Sequence, residues 1–208
     1  MKITVIGAGA WGTALANLLC DNQHDVTLWG HDRTHLEKIQ ITRRNERLLP
    51  GIELSSGLKF ESDLVKSIQK SDCAVIAVPS KFFRDVTKDL SDFNGIAVSV
   101  TKGIEYETGL TMSGVLNSTM PRASASSLSG PTLAMEVAQK IPAAIVAANP
   151  DSQIAETVQS LFLCPTFRVY TSEDLLGVEL GGALKNTIAI AAGMSDGLGF
   201  GDNTKAAL

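Results

Sequence analysis

Short apolar runs alternate along most of the chain with stretches that have the composition of helices. Strands are predicted at residues 3–6, 25–30, 72–79, 95–101, 123–128 and 143–147. Helices are predicted between them, at residues 13–19, 35–45, 63–70, 82–90, 109–119 and 132–139. Because strands and helices alternate without an internal repeat or a low-complexity linker, the pattern predicts an α/β fold, with a doubly wound sheet over residues 1–171.

The pattern changes after residue 171. Residues 172–194 begin with Ser172 as a helix N-cap, followed by two acids, and are then apolar on nearly every face. Such a helix must be buried against further helices or a second subunit. One more helix is predicted, from about Asp202, and it reaches Leu208 without a C-cap or a breaker. We therefore expect residues 172–208 to be the first helices of an all-α domain whose remainder is absent.

Composition and net charge limit the classes of binding partner that the chain can have. The 208 residues are 44% hydrophobic and 19% charged, which is enough to build a buried core. A net charge of −4 offers no general attraction to nucleic acid or to an anionic membrane. The basic cluster Arg43, Arg44 and Arg47 is interpreted as a solvated loop face. We expect no nucleic-acid partner and no membrane insertion.

The cysteines and histidines do not suggest a metal site. Three cysteines at positions 20, 73 and 164 lack C-x-x-C spacing, and buried, reduced thiols in a cytoplasmic protein are the preferred interpretation. The histidines at positions 24, 31 and 35 lack carboxylate or cysteine partners at the spacing of metal ligands. No bound metal is expected.

Three glycines at the beginning of the chain form the pattern G-x-G-x-x-G. Gly7, Gly9 and Gly12 follow a β-branched run and precede helix-forming residues. In a Rossmann-type turn the first glycine permits the tight turn, the second admits a pyrophosphate, and the third allows close packing of helix on sheet. The positive end of the helix then faces the anion. The alternatives are a signal peptide, suggested by the Ala14-Leu15-Ala16 triplet, and a membrane span.

The end of the second strand should determine the choice of dinucleotide. An acid there accepts the ribose hydroxyls of NAD, and a basic group accommodates the additional phosphate of NADP. Asp32 has the spacing of a ribose ligand, but His31 and Arg33 flank it. We expect NADP, with NAD tolerated; the alternative is that residues 31–33 form a simple polar turn. Trp11 is either a packing residue or a flat surface beside the cofactor.

Two further loops follow predicted strands, where a Rossmann sheet binds its ligands. Lys102, in the sequence TKG, can act as a point charge for phosphate or as a donor to a carbonyl, unless it is an ordinary exposed lysine. Gly130 and Thr132, in SGPT, can present an N–H group and a hydroxyl to an anion at a helix start. Ser-Gly-Pro is also common in turns, so this pair alone is weak evidence.

Lys185 and Asn186 interrupt the apolar helix predicted after residue 171. An unpaired ammonium group is costly to bury, and burial would lower the pKa of the lysine. Such a lysine can accept a hydroxyl proton near neutral pH and can return a proton to the oxygen of a carbonyl under reduction. Asn186 could orient the lysine or the substrate. The alternative is that Lys185 extends along the helix to the surface.

Together these motifs resemble bacterial NAD(P)-dependent glycerol-3-phosphate dehydrogenase. The resemblance covers essentially the whole chain, in order and spacing. It rests on GAGAWGTALA, LWGHD, N-x-x-x-LPG (residues 45–51), VPS, TKG, SGPT with Glu136, LGGALKN and AGMSDGLGFGDN.

The resemblance implies reversible reduction of dihydroxyacetone phosphate to sn-glycerol 3-phosphate with NADP or NAD, for phospholipid synthesis in the cytoplasm. It implies that Lys185 is the proton acceptor for alcohol oxidation and that a homodimer forms. The implied cofactor contacts outside the glycines are Ala10, Trp11, His31, Lys102 and Ala134, and the implied substrate contacts are Lys102, Gly130 and Thr132.

The family pattern also includes a later aspartate and an Arg-Asn pair that hold the substrate, and the sequence lacks them. Two alternatives follow. One is a dehydrogenase of the β-hydroxyacid type, which also carries a lysine and an asparagine on a helix. The other is a cofactor-binding fragment without turnover.

Overall fold

The computed structural model describes all residues, 1–208, and contains one eight-stranded sheet. The strands are β1 (Lys2–Ile6), β2 (Asp25–Trp29), β3 (Lys59–Glu61), β4 (Cys73–Ile76), β5 (Ile96–Ser99), β6 (Ser124–Ser129), β7 (Ala143–Ala148) and β8 (Phe167–Ser172). The helices are α1 (Ala10–Asp21), α2 (Arg33–Thr42), α3 (Leu64–Ile68), α4 (Ser80–Thr87), α5 (Met112–Thr119), α6 (Ala134–Ala138), α7 (Ser152–Phe162), α8 (Leu175–Gly197) and α9 (Asp202–Ala206).

The sheet has the strand order β3-β2-β1-β4-β5-β6-β7-β8. The first six strands are parallel, so their carboxyl ends lie along one edge. The chain order reverses on either side of β1, which creates the crevice where doubly wound sheets bind ligands. The predicted fold class, a Rossmann-type sheet followed by α-helices, is therefore confirmed.

The core lies on both faces of this sheet. Successive side chains of a strand point to opposite faces, and the two buried clusters divide β1 and β4 accordingly. Val5 and Val75 belong to the cluster beneath α1, whereas Ile6 and Ile76 pack with Phe83 of α4 on the other face. Burial on both faces explains why these strands are continuous apolar runs in the sequence.

The structure differs from the predicted elements in six respects. The sequence pattern predicted neither β3, α7 nor β8. Strand β7 runs antiparallel to β6, and β8 is parallel to β7. Helix α2 ends at Thr42 because Arg43 adopts a left-handed conformation, with φ of 52°. The N-cap of α8 is Asp174, whose carboxylate accepts the N–H of Gly177, and not Ser172 as predicted.

Helix α8 is not buried within the 208 residues; its expected cover was further helices or a second subunit, so its burial remains a prediction. Leu184, Ile188 and Met194 are each more than half exposed, because α8 touches the sheet domain along one side only. Judged by length and hydropathy alone, the chain has one helix long and apolar enough to cross a membrane, and that helix is α8. That observation is weak evidence, since core helices of soluble proteins meet the same criterion. The absence of membrane insertion remains a prediction.

The thiols lie largely where the sequence analysis expected them. Cys20 and Cys73 are buried, Cys164 is half-buried, and all three are free. Burial raises the pKa of Cys20 to about 11 and that of Cys73 to about 12. Since the thiolate is the reactive form, these two cysteines are inert packing residues at neutral pH.

Candidate dinucleotide and anion site

The glycines of the G-x-G-x-x-G loop differ in their surroundings. Gly7 has a φ of 124°, and a β-carbon there would lie 2.5 Å from the carbonyl oxygen of Ala77. A β-carbon on Gly12 would collide with the carbonyl oxygen of Gly7. Around Gly9, by contrast, nothing lies within 4 Å of the β-carbon position. Gly7 and Gly12 therefore permit the strand, turn and helix to pack, whereas Gly9 leaves open space.

The open space at Gly9 lies at the N-terminus of α1. The first backbone hydrogen bond of the helix joins the Thr13 N–H to the Gly9 carbonyl at 2.9 Å, and no side chain caps the helix. The N–H groups of Ala10, Trp11 and Gly12 therefore have no acceptor in the structure. Unpaired donors at the positive end of a helix fit a diphosphate. In the structure this segment is a strand, a turn and a helix of the sheet domain, in place of the signal peptide or membrane span that were the alternatives.

Trp11 and Asn45 complete the surroundings of the loop. Trp11 is half-buried and packs against the core, so part of its ring remains accessible beside α1. Asn45 is buried, and its Nδ2 donates to the Ala8 carbonyl at 3.1 Å and to Thr13 Oγ1 at 2.9 Å. Asn45 belongs to the N-x-x-x-LPG motif, but the motif alone does not predict that this residue supports the glycine loop.

At the end of β2, His31 and Asp32 are exposed. Asp32 caps α2, because its Oδ1 accepts the N–H of His35 at 3.0 Å. This hydrogen bond, together with the nearby charges of His35, His31 and Arg47, lowers the pKa of Asp32. One oxygen of the carboxylate that would accept ribose hydroxyls is thus engaged in the helix cap, and basic groups lie nearby. The preference for NADP remains a prediction.

The arginine cluster is only partly a solvated loop face. Arg44 and Arg47 are exposed, as expected. Arg43 is half-buried, donates to the Leu58 carbonyl at 2.7 Å, and lies over the ring of Phe60 at 5.2 Å. The prediction is therefore wrong for Arg43, which holds the loop before β3 because its planar group can stack and donate at once.

The loop that carries Lys102 is held against the end of β4. Thr101 Oγ1 donates to the Val78 carbonyl at 2.7 Å. Gly103 has a φ of 141°, and a β-carbon there would lie 3.1 Å from Cβ of Ser80. The TKG and VPS motifs are thus packed on each other, and this contact fixes the backbone on both sides of Lys102.

Helix α8 closes over Lys102. At Gly182 a β-carbon would lie 2.5 Å from Ser129 Oγ and 3.5 Å from Lys102 Cγ, so the absent side chain permits close approach. Burial lowers the pKa of Lys102, and the positive charge of Lys185 lowers it further. The charge of Lys185 thus acts on Lys102, and neither lysine pairs with a carboxylate.

The SGPT loop contributes a hydroxyl to the same edge of the sheet. Thr132 Oγ1 is buried and has no hydrogen-bond partner. Gly130 packs on β7, since a β-carbon there would lie 2.9 Å from Cα of Ile145. Ala134 is half-buried at the first position of α6, which packs on α1. A buried unpaired hydroxyl is costly, and an anion would satisfy it.

Lys185 and Asn186 do not lie in the buried environment that the sequence analysis expected. Both side chains are exposed on α8, because no other element of the 208 residues covers that side of the helix. The lysine whose pKa burial lowers is Lys102. The structure thus corrects the burial of Lys185, and its catalytic role remains a prediction.

Replacement of Lys102 by methionine is expected to raise the melting temperature by a few degrees at neutral pH. The folded protein holds this lysine below its ordinary pKa, so the unfolded chain binds more protons and the charged lysine costs stability. The gain should shrink as pH rises towards the ordinary lysine pKa. Melting curves at about pH 7 and about pH 10 would check this. Lys70→Met, at an exposed lysine, is the control, and an equal gain there would contradict the explanation.

Comparison with known proteins agrees with this geometry. A family model described as NAD-dependent glycerol-3-phosphate dehydrogenase N-terminus matches residues 2–155. A second model, described as the C-terminus of the same enzyme, matches residues 174–208. The chain belongs to the NAD-dependent glycerol-3-phosphate dehydrogenase family. The predicted resemblance is therefore confirmed.

Curated relatives lead to the same family. The chain is 49% identical to glycerol-3-phosphate dehydrogenase [NAD(P)+] of Geobacter metallireducens and 47% identical to that of Geobacter sulfurreducens. Each alignment includes 100% of this chain and 64% of the relative. The chain thus spans just under two thirds of the length of these relatives.

Solved structures of the family have the same fold. Glycerol-3-phosphate dehydrogenase from Coxiella burnetii superposes with a TM-score of 0.88 at 35% identity, over 99% of this chain and 64% of that one. Glycerol-3-phosphate dehydrogenase from Plasmodium falciparum superposes with a TM-score of 0.91 at 26% identity, over 100% of this chain and 62% of that one.

Proposed function

We propose that the chain carries the dinucleotide site and part of the substrate site of an enzyme that reduces dihydroxyacetone phosphate to sn-glycerol 3-phosphate. The observation that carries the proposal is Lys102, which is half-buried where α8 packs against it at Gly182, has no carboxylate partner and is affected by the charge of Lys185. The two ammonium groups repel, and a dianionic substrate between them would relieve the repulsion. The unpaired Thr132 hydroxyl lies in the loop at the end of the next strand.

The glycine loop is proposed to hold NADP, with NAD accepted. The free N–H groups of Ala10, Trp11 and Gly12 would bind the pyrophosphate over Gly9. His31 would lie beside the adenosine half of the bound dinucleotide. We propose that Lys102 and the backbone of Ala134 complete these contacts, since the Lys102 loop and α6 lie at the same sheet edge as α1.

In the reaction, the bound nicotinamide would supply a hydride to C2 of the ketone. Lys185 would donate a proton to the carbonyl oxygen as that oxygen gains charge, and in the reverse direction it would accept the hydroxyl proton. Lys102, Gly130 and Thr132 would orient the phosphate and the carbonyl, and Asn186 would hydrogen-bond to Lys185 or the substrate. Proton and hydride together complete the reduction.

The oligomeric state, the domain division and the cellular location are also proposals. We propose a homodimer, for which the exposed apolar side chains of α8 offer contact area. A division into a sheet domain at residues 1–171 and helices at 172–208 is supported by the separate matches of the two family models. We further propose a cytoplasmic enzyme of phospholipid synthesis without a nucleic-acid partner.

Oxidation of NADPH by the purified chain in the presence of dihydroxyacetone phosphate tests the proposal. We expect loss of nicotinamide absorbance that depends on the ketone, together with saturable NADPH binding measured separately by calorimetry. Binding without turnover would reduce this chain to a cofactor-binding unit. Absence of both would contradict the proposed dinucleotide site.

A further inference from the structure

Glu179 is a buried acid on a helix whose other side chains are mostly exposed. Its exposed fraction is 6%, and it makes two hydrogen bonds with α5. Glu179 Oε1 accepts the backbone N–H of Ser113 at 2.8 Å, and Oε2 accepts the Ser113 hydroxyl at 2.5 Å. A carboxylate in this position is costly to bury unless both oxygens are satisfied, so the contact requires a defined position of α8.

The partner of Glu179 is the N-terminus of α5. The first backbone hydrogen bond of that helix runs from Val115 to Thr111, which leaves the Ser113 N–H without an acceptor inside its own helix. The capping residue Thr111 does not cap the helix with its side chain. Glu179 therefore supplies, from a distant segment, the negative group that a helix N-terminus favours.

Helix α5 is connected directly to the loop of Lys102. Ile104 and Thr111 form an antiparallel bridge, and the Glu105 N–H donates to the Leu110 carbonyl at 2.8 Å. The segment between Lys102 and Ser113 is thus a closed loop rather than a loose connection. Lys102 precedes this loop, and Ser113, the hydrogen-bond partner of Glu179 on α8, follows it. The position of Lys102 is therefore linked through this loop to the contact that holds α8.

The same face of α8 contains the second contact with the sheet domain. Gly182 lies three residues after Glu179, and it packs against Ser129 and Lys102. Lys185 follows Gly182 by three residues, which places it beside Gly182 on the next turn. A rotation or a slide of α8 would therefore move Lys185 away from Lys102.

We propose that Glu179 is a positioning residue that fixes the rotation of α8 through Ser113 and thereby holds Lys185 beside Lys102. It touches neither substrate nor cofactor. Its importance for catalysis rests on the proposed function, but the geometric claim can be tested without turnover.

The test compares Glu179→Ala and Glu179→Gln with Glu173→Ala, an exposed acid just before α8. Competitive labelling of lysine amines across a pH series, read by mass spectrometry, reports the titration of Lys102. In Glu179→Ala, α8 should move off Lys102, so the amine becomes solvated and titrates at higher pH. Glu179→Gln retains one acceptor for the Ser113 N–H and should largely restore the wild-type titration.

Turnover provides a second measurement. If the chain oxidises NADPH, Glu179→Ala should lower kcat roughly 10²-fold while the KM for NADPH stays near the wild-type value, because misplacement of Lys185 affects the chemical step. If the wild-type chain binds NADPH without turnover, it is a cofactor-binding unit, and the labelling still decides the positioning role.

Unchanged titration of Lys102 in a folded Glu179→Ala protein would overturn the inference. If Glu179→Ala does not fold, Ser113→Ala replaces it, since that change removes the hydroxyl donor and leaves the backbone N–H. A wild-type titration of Lys102 in a folded Ser113→Ala protein would then overturn the proposal.

Discussion

Replacement of Lys185 by alanine is expected to lower ketone-dependent oxidation of NADPH by about 10²–10⁴-fold, the range for loss of a positioned general acid. The affinity for NADPH should change little, because the glycine loop that would bind the pyrophosphate is built from β1 and α1. Stability should also be retained, since the side chain is exposed and has no ion pair. Steady-state kinetics, NADPH calorimetry and melting curves measure the three quantities.

The control for this prediction is Lys88→Ala. Lys88 is an exposed lysine whose ammonium group pairs with Asp85 at 2.8 Å, away from the proposed site. Its replacement should leave the kinetics near those of the wild type. A Lys185→Ala protein that retained most of its turnover would show that another group transfers the proton, with Lys102 as the remaining amine at the site.

Two substitutions in the glycine loop should separate folding from cofactor binding. Gly12→Ala is expected to destabilise the protein by about 1–3 kcal/mol or more, because the added methyl group collides with the Gly7 carbonyl and the helix must move. Gly9→Ala should leave stability within about 0.5 kcal/mol, since Gly9 is extended, with φ of −74°, and has open space around it.

For NADPH binding the relative effects of the two substitutions should reverse, with Gly9→Ala having the larger effect. The methyl group of Gly9→Ala would enter the space proposed for the pyrophosphate, and NADPH affinity should fall about tenfold or more, equivalent to roughly 1.4 kcal/mol. Urea unfolding gives the stabilities and calorimetry gives the affinities, so each variant serves as the control for the other. Tight NADPH binding by a folded Gly9→Ala protein would contradict the proposed pyrophosphate position.

Much of the fold could be predicted from the sequence, because buried parallel strands are continuous apolar runs and the glycine spacing specifies a turn. The edge strand β3 was missed since its three residues are charged or aromatic and are only partly buried. The reversed direction of β7 was not predicted either. Periodicity reports which faces are buried, but it does not report strand direction, which depends on the path of the preceding loop.

The site was predicted less completely. Residues at strand ends, such as Lys102 and Thr132, lie at the expected edge because parallel strands bring their carboxyl ends together. Lys185 was expected to be buried, since an apolar helix suggests a cover on every side, whereas the structure leaves most of α8 exposed. Glu179 was overlooked, although an acid in the apolar first half of α8 is itself a signal of a specific partner.

The separate surroundings of Gly7, Gly9 and Gly12 affect how the glycine pattern should be interpreted in other sequences. Two of the three glycines are required by the interlocking of β1 and α1, whether or not a dinucleotide binds. A descendant that had lost its cofactor would therefore still be selected to keep Gly7 and Gly12 for folding. Only the middle glycine could then be substituted without cost to folding. Its loss from an otherwise intact pattern therefore indicates a chain that has lost dinucleotide binding and retained the fold.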